Sequence, residues 1–245
     1  MSKALIRFYE ELNDLLSKEK RKKRFEYNFT GRPSVKDLIE SLGVPHGEID
    51  MILVNGKPEN LSYIVCDGDE VSVYPMFESI DISDVQHLRE KPLRVPKFVV
   101  DVHLGTLARY LRMLGFDTLY ENNYIENEII KISINENRTI LTKDKGMLKH
   151  KEVTHGLYIR SVSPQIQLKE VVDRLDLYKL IKEFSRCLEC NSILKRVPKK
   201  EIEDRIPAKV KEFQNEFYIC ENCNKIYWPG SHYEKMEKII KTLIS

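Results

Sequence analysis

No stretch of the sequence approaches the roughly 18 consecutive apolar residues that a membrane-spanning helix needs, so no such span is expected. The opening run, Met1 to Leu16, is strand-like and broken by Arg7, Glu10, Glu11 and Asp14, and so lacks the apolar centre of a secretory signal. Neither Gly-x-x-x-x-Gly-Lys-Ser/Thr nor Gly-x-Gly-x-x-Gly occurs, which leaves no nucleotide-binding glycine loop. Charge excess is slight as well: 40 Lys and Arg against 38 Asp and Glu give a net charge of +2. Whole-chain charge is therefore a weak pointer to a polyanionic partner. With 42% apolar and 32% charged residues the 245-residue chain is ordinary for a globular protein, and a cytoplasmic one is expected.

Cysteine is scarce but concentrated. Four of the five form two Cys-x-x-Cys pairs, Cys187-Leu-Glu-Cys190 and Cys220-Glu-Asn-Cys223. A two-residue gap lets both thiolates of a pair reach one small cation, and two pairs supply the four soft ligands that tetrahedral Zn²⁺ prefers. In a reducing compartment such pairs are metal ligands rather than disulfides. A closed four-thiolate shell leaves no open position for water, so the zinc is expected to be structural. His232 could replace a cysteine, but four thiolates already complete the shell. The gap between the pairs, residues 191–219, is longer than usual, and the segment Ile206-Pro-Ala-Lys-Val210 within it is expected to loop out. Cys66 is unpaired and expected to be a buried small apolar residue.

Residues 1–77 read as a compact α/β module. Ala4, Ile6 and Phe8 alternate, as do Phe25, Tyr27 and Phe29, on either side of the basic run Lys18 to Arg24. Ser34-Val-Lys-Asp37 has capping-box character and opens a helix that Gly43 ends. Ile52-Leu-Val-Asn-Gly56 and Asp67-Gly-Asp-Glu-Val-Ser-Val-Tyr-Pro75 supply later strands. Strand, strand, helix, strand, strand is a β-grasp order, and these pieces resemble the ubiquitin-like sulfur carriers. Those carriers act through a free terminal Gly-Gly, whereas here the last strand continues into Met76-Phe77-Glu78, so the fold is expected without the sulfur chemistry. Residues 78–96, with Pro92 and Pro96, read as a linker. Residues 97–180 alternate strand and helix at the spacing of a parallel sheet: strands at Lys97–Asp101, Phe116–Tyr120, Arg138–Thr142 and Gly156–Arg160, with helical runs between and after them. Residues 181–245 hold the cysteine pairs and a closing helix.

In an open parallel sheet, ligands gather outside the carboxyl ends of the strands. Asp101 ends the first strand of this sheet, Glu126 and Glu128 follow the second, and Asp144 follows the third. Each acid alone has a structural use, as a cap, a partner for a helix dipole or a turn residue; their agreement in position is what sets them apart. A cluster of carboxylates is tolerable if a divalent cation sits among them. Mg²⁺ or Mn²⁺ held in this way can activate water and stabilise the leaving oxygen of a phosphodiester, which points to nucleic-acid hydrolysis. Arg109 and Arg112, three apart on one helix, either clamp phosphates or make a structural ion pair. Lys143 and Lys145 assist phosphate binding or offset the Asp144 charge, and His103 reaches substrate or makes a structural hydrogen bond. Lys195, Arg196, Lys199 and Lys200 form a second basic cluster; Tyr227 and Trp228 stack on bases or pack over the ribbon.

The run Val100-Asp-Val-His-Leu-Gly-Thr-Leu-Ala-Arg-Tyr-Leu-Arg-Met-Leu-Gly-Phe-Asp117, then Ile140-Leu-Thr-Lys-Asp144, Arg186-Cys-Leu-Glu-Cys-Asn191 and Tyr227-Trp-Pro-Gly-Ser-His232, resembles the Mut-seven C-terminal RNase family. The resemblance implies an α/β chain: an N-terminal β-grasp (ubiquitin-like) domain, a PIN-like nuclease domain and a C-terminal zinc ribbon. It implies a metal-dependent ribonuclease in which Asp101, Glu126 and Asp144 hold catalytic Mg²⁺ or Mn²⁺, with Glu128 the alternative to Glu126. Cys187, Cys190, Cys220 and Cys223 would hold structural Zn²⁺, and RNA is the implied partner. Position 146 is Gly where some related PIN-like proteins continue with another acid, so a full four-carboxylate site is not expected. The N-terminal domain, which contains no candidate acid, is left for contact with a protein partner and is expected to be dispensable for chemistry. The competing class is a non-catalytic RNA-binding adaptor.

Overall fold

The structure, a computed structural model, describes residues 1–75 and 96–244, so the expected linker lies outside the described residues except at Pro96. The first unit is a five-stranded sheet of β1 (Ser2–Phe8), β2 (Phe25–Phe29), β3 (Ile49–Val54), β4 (Lys57–Glu59) and β5 (Glu70–Pro75), in the order β2-β1-β5-β3-β4. β1 and β5 are parallel; the other pairings are antiparallel. Ala4, Ile6 and Phe8 point into the core, as their alternation requires, and meet Val35, Leu38 and Ile39 of helix α1 (Val35–Ser41). The expected capping box is present: the Asp37 N–H donates to Ser34 Oγ at 3.1 Å, and the Ser34 N–H donates to Asp37 Oδ2 at 3.2 Å. Asn55 and Gly56, both at positive φ, make the tight β3–β4 turn.

Two local expectations for this unit fail. The opening strand stops at Phe8, and Glu10–Leu15 is a 3₁₀ turn, because buried Asn13 donates to the carbonyls of Phe8 and Glu10. Cys66 is exposed, since it lies in the turn before β5, where its N–H donates to Asp69 Oδ2.

The second unit is a four-stranded, fully parallel sheet of β6 (Lys97–Val100), β7 (Asp117–Leu119), β8 (Thr139–Thr142) and β9 (Gly156–Tyr158), in the order β7-β6-β8-β9. Phe98, Val100, Leu141 and Leu157 pack with α2 (Gly105–Met113) and α4 (Pro164–Arg174), while Val99 and Ile140 pack with α3 (Glu126–Glu136). Both faces are therefore covered, which is why these strands read as short apolar runs rather than alternations. α2 ends at Gly115, at φ +92, where a Cβ would lie 2.3 Å from the Lys182 carbonyl oxygen; only glycine lets the chain into the cysteine module approach so closely.

The cysteine module carries a three-stranded sheet of β10 (Lys195–Arg196), β11 (Tyr218–Ile219) and β12 (Ile226–Tyr227). The segment 206–210, expected to loop out, instead leads into α6 (Ala208–Phe213) after α5 (Lys199–Ile202), because Ile202 and Ile206 bury against Val197 and Phe217 in a small core of their own. α7 (Ser231–Ile244) closes the chain and buries Ile240 and Leu243 against the α2/α4 side of the sheet. Among the described residues, no helix is long and apolar enough to cross a membrane.

Candidate functional site

Strand order reverses direction between β6 and β8, since β6 leads outward to β7 and the chain then returns across it to β8. Such a reversal opens a crevice at the carboxyl ends of the two strands. Asp101 follows β6 and is 6% exposed; its N–H donates to the Leu141 carbonyl at 3.0 Å, which continues the ladder past the strand end. Thr142, the last residue of β8, donates its hydroxyl to Asp101 Oδ2 at 2.7 Å and accepts the Asp144 N–H at 2.9 Å. One hydroxyl thus fixes both acids. Asp144 is exposed, and its Oδ1 accepts the Gly146 N–H at 2.7 Å, closing a turn that aims the residue outward. A Cβ at position 146 would sit 3.0 Å from that oxygen, so the glycine there fits the turn as well as removing an acid.

Glu126 opens α3 and pairs with His150, Oε1 to Nε2 at 2.9 Å, so it is tied to the segment that follows Asp144. Glu128 is occupied differently: its Oε2 accepts the Ile125 N–H at 3.0 Å and caps the helix. Among the described residues, the only group of three or more Cys, His, Asp or Glu side chains with ligand atoms within 4.8 Å of one another is the cysteine set. The strand-end acids are not gathered that tightly. Their oxygen donors suit Mg²⁺, which keeps several waters and takes one or two carboxylates plus substrate oxygens rather than a protein cage.

Beside this edge lies a cleft of about 410 Å³ between the start of α2 (Gly105, Thr106, Arg109), the loop after β7 (Tyr120, Glu121, Asn122) and the first cysteine pair (Leu188, Glu189). Arg109 is exposed there, 3.5 Å from Glu189. Arg112 departs from the phosphate-clamp reading: it is 4% exposed, and its guanidinium donates to the carbonyls of Thr118, Leu188 and Glu189. Burial lowers its pKa, opposed by the charges of the neighbouring thiolates and acids. Its work is to bind the cysteine module to β7. Arg112→Met is expected to leave buried carbonyls unpaired, at about 1–3 kcal/mol each, and thermal unfolding should show the loss. Lys143 donates to the Ser161 carbonyl at 2.8 Å and Lys145 lies 5.0 Å from the Tyr158 ring centre, so both lysines flanking Asp144 are held in place. Thr142 and His150 were not singled out by sequence reasoning, although Thr142 stands inside the Thr-Lys-Asp motif.

The four cysteine Sγ atoms converge, with Cys187 and Cys223 3.5 Å apart and Cys190 and Cys220 3.3 Å apart. Tetrahedral thiolates at ~2.3 Å from a zinc lie roughly 3.8 Å from one another, so the set is able to hold that ion. The two halves are built alike. Cys187 N–H donates to the Ser192 carbonyl and Cys220 N–H to that of Lys225, and the residue after each pair, Asn191 or Asn224, takes the positive φ that closes the turn. Burial opposes the Cys190 thiolate, but hydrogen bonds with Ser192 and Asn222 bring its pKa down to about 5, whereas burial pushes Cys223 up to about 12. Four thiols alone resist ionising together; a bound dication removes that conflict. Asn191 also anchors the module, accepting the Thr118 N–H at 2.9 Å and donating to Asp117 Oδ1 at 2.8 Å. Tyr227 donates to or accepts from Cys187 Sγ at 3.1 Å and Trp228 packs on the small core, so both rings are used internally. His232 is exposed and outside the cluster.

No curated protein and no solved structure matches the chain in sequence or fold comparison. Two family descriptions do match: the Mut7-C ubiquitin domain over residues 1–81 and the Mut7-C RNAse domain over residues 96–240. The second covers more than half of the chain, and the order of the two agrees with the fold, a ubiquitin-like sheet followed by a parallel sheet with a zinc-binding cysteine cluster; the chain belongs to the Mut7-C RNAse domain family.

Proposed function

We propose that the protein is a metal-dependent ribonuclease that hydrolyses RNA phosphodiester bonds at the edge between β6 and β8. Membership of an RNAse family points to nuclease function. The observation that carries the finer reading is the Thr142 hydroxyl holding Asp101 and Asp144 together at the reversal of strand order. When bound there, Mg²⁺ or Mn²⁺ supplies water activation and charge neutralisation at the leaving oxygen. Asp101 and Asp144 are the residues to hold it, with Glu126 as the third. The Glu126–His150 pair keeps that third acid beside the Asp144 segment. Lys143 and Lys145 draw phosphate toward an otherwise acidic edge, and Arg109 offers a further contact from the cleft. Zn²⁺ on the cysteines is structural. The working division is residues 1–77, 78–96, 97–180 and 181–245, and the cytoplasm is the compartment that suits reduced cysteine pairs.

The two glutamates at the start of α3 separate the roles directly. Glu126→Gln is expected to lower cleavage at least about 10-fold, on the scale of a lost electrostatic contact in a site. Glu128→Gln should keep the rate and cost about 0.5–1 kcal/mol of stability, as for a weakened cap. Single-turnover cleavage and thermal unfolding of both variants check this; equal losses of rate would remove Glu126 from the site. A second reading, a non-catalytic RNA-binding adaptor, is favoured by one observation, the looseness of the carboxylate group. Incubation with mixed RNA and single-stranded DNA, with and without Mn²⁺, separates the two: binding without cleavage is the adaptor's result.

A further inference from the structure

The ubiquitin-like unit does not stand apart from the nuclease unit. Its turn between α1 and β3, His46–Glu48, lies against β9 and against the 3₁₀ turn Met147–Lys149 that follows Asp144. At its centre the Glu48 side chain is 0% exposed. Glu48 Oε1 accepts the Tyr158 N–H at 2.5 Å, from the outer edge of β9, and Oε2 accepts from Arg174 at 2.9 Å and Arg160 at 3.4 Å. The same arginines reach Glu11 at 3.4 Å and Asp14 at 3.7 Å, also in the first unit. A carboxylate is buried so completely only where charges and donors compensate it, and here every compensating group comes from the other unit.

Contact continues along the segment that carries Asp144. Gly47 lies so close that a Cβ there would be 3.3 Å from the Leu148 carbonyl oxygen and 3.4 Å from Val153. Lys149 donates to the Glu40 carbonyl at 3.1 Å. Tyr158 packs against the cores of both units, and its ring carries Lys145; Lys143 is held by the Ser161 carbonyl, three residues further on. Both lysines flanking Asp144 thus rest on the piece of chain that Glu48 fixes.

We propose that the ubiquitin-like domain is a fixed wall of the nuclease site and that Glu48 is a positioning residue, acting through β9 on the Lys143–Lys149 segment that presents Asp144. This rests on the reading of Asp144 as part of the site, and it reverses the expectation that the first domain is dispensable for chemistry. The occupant of the α1–β3 surface is then the chain's own nuclease sheet rather than a separate protein.

The test uses the full chain. Amide hydrogen exchange over residues 143–161 is measured in wild type, Glu48→Gln and Lys149→Met, together with kcat and KM for a short single-stranded RNA in Mn²⁺. In Glu48→Gln, exchange over 143–161 should rise at least about 10-fold while the cysteine module and α7 stay unchanged, as for a locally opened segment. Its kcat should fall about 10-fold or more, since misplacing a reacting group costs rate, and KM should rise with it because Lys143 and Lys145 rest on the same segment. Lys149→Met should move the same readouts less. Unchanged exchange in folded Glu48→Gln, or raised exchange with wild-type kcat, overturns the proposal. If Glu48→Gln does not fold, Lys149→Met decides by direction, because it removes a single peripheral bond: raised exchange over 143–161 with a lowered kcat supports the proposal, and no change in either overturns it. If wild type itself does not cut RNA, the ribonuclease reading fails, while the exchange data still decide whether the wall orders the segment.

Discussion

Asp101→Asn is expected to cut RNA cleavage by at least about 10²-fold, the scale of lost electrostatic stabilisation in a site, because the carboxylate would hold the cation that neutralises the reacting phosphate. The fold should survive. Asn at 101 still offers an oxygen to the Thr142 hydroxyl, and its N–H bond to the Leu141 carbonyl is untouched. What disappears is a negative charge on a carboxylate that is only 6% exposed, so stability should stay level or rise slightly. Asp144→Asn should lose activity on a similar scale, with its turn retained because the amide oxygen can accept the Gly146 N–H. Thermal unfolding beside single-turnover cleavage reads both. A large fall in stability with the rate per folded molecule unchanged would make these acids structural.

Loss of zinc should have the other large effect. Structural zinc contributes roughly 10–16 kcal/mol of apparent folding free energy in zinc-finger peptides, far more than the small core around Ile202, Ile206 and Phe217 can supply. About one tightly held zinc per chain is expected, and Cys187→Ser should unfold the module, since Cys187 is fully buried. The damage should spread to β7, because Asn191 pairs with Thr118 and Asp117, and Arg112 is shared between α2 and the first cysteine turn. Metal analysis and hydrogen exchange check this. Folded, reduced protein free of zinc would contradict it, as would Cys187→Ser with β7 exchange like wild type.

The parts of this molecule visible in sequence are those set by short-range periodicity and by turn chemistry. The alternation of Ala4, Ile6 and Phe8, the Ser34–Asp37 box and the apolar runs Lys97–Val100 and Thr139–Thr142 each determine their element locally. Asp101 and Asp144 were visible for the same reason: strand ends can be counted, and the edge of a parallel sheet collects them. What stayed hidden depends on partners far along the chain. Arg112 lies off the apolar stripe of α2 and reads as solvent-facing until the cysteine module, more than seventy residues on, covers it. Glu48 looks like an ordinary turn acid, yet its arginines are 112 and 126 residues away. The segment between the cysteine pairs reads as a loop because each helix in it is too short to show a period, and it is held by tertiary burial of Ile202 and Ile206.

Metal-dependent cleavage is tested most directly with an end-labelled single-stranded RNA and zinc-replete protein dialysed free of Mg²⁺ and Mn²⁺ and then resupplied with one or the other. Dialysis is preferable to a strong chelator, which would also attack the cysteine cluster. Cleavage that appears with added Mn²⁺ or Mg²⁺, is absent without it and is lost in Asp101→Asn is the predicted result; RNA that is bound but left intact by wild type in Mn²⁺, or cut equally well by Asp101→Asn, would contradict the account.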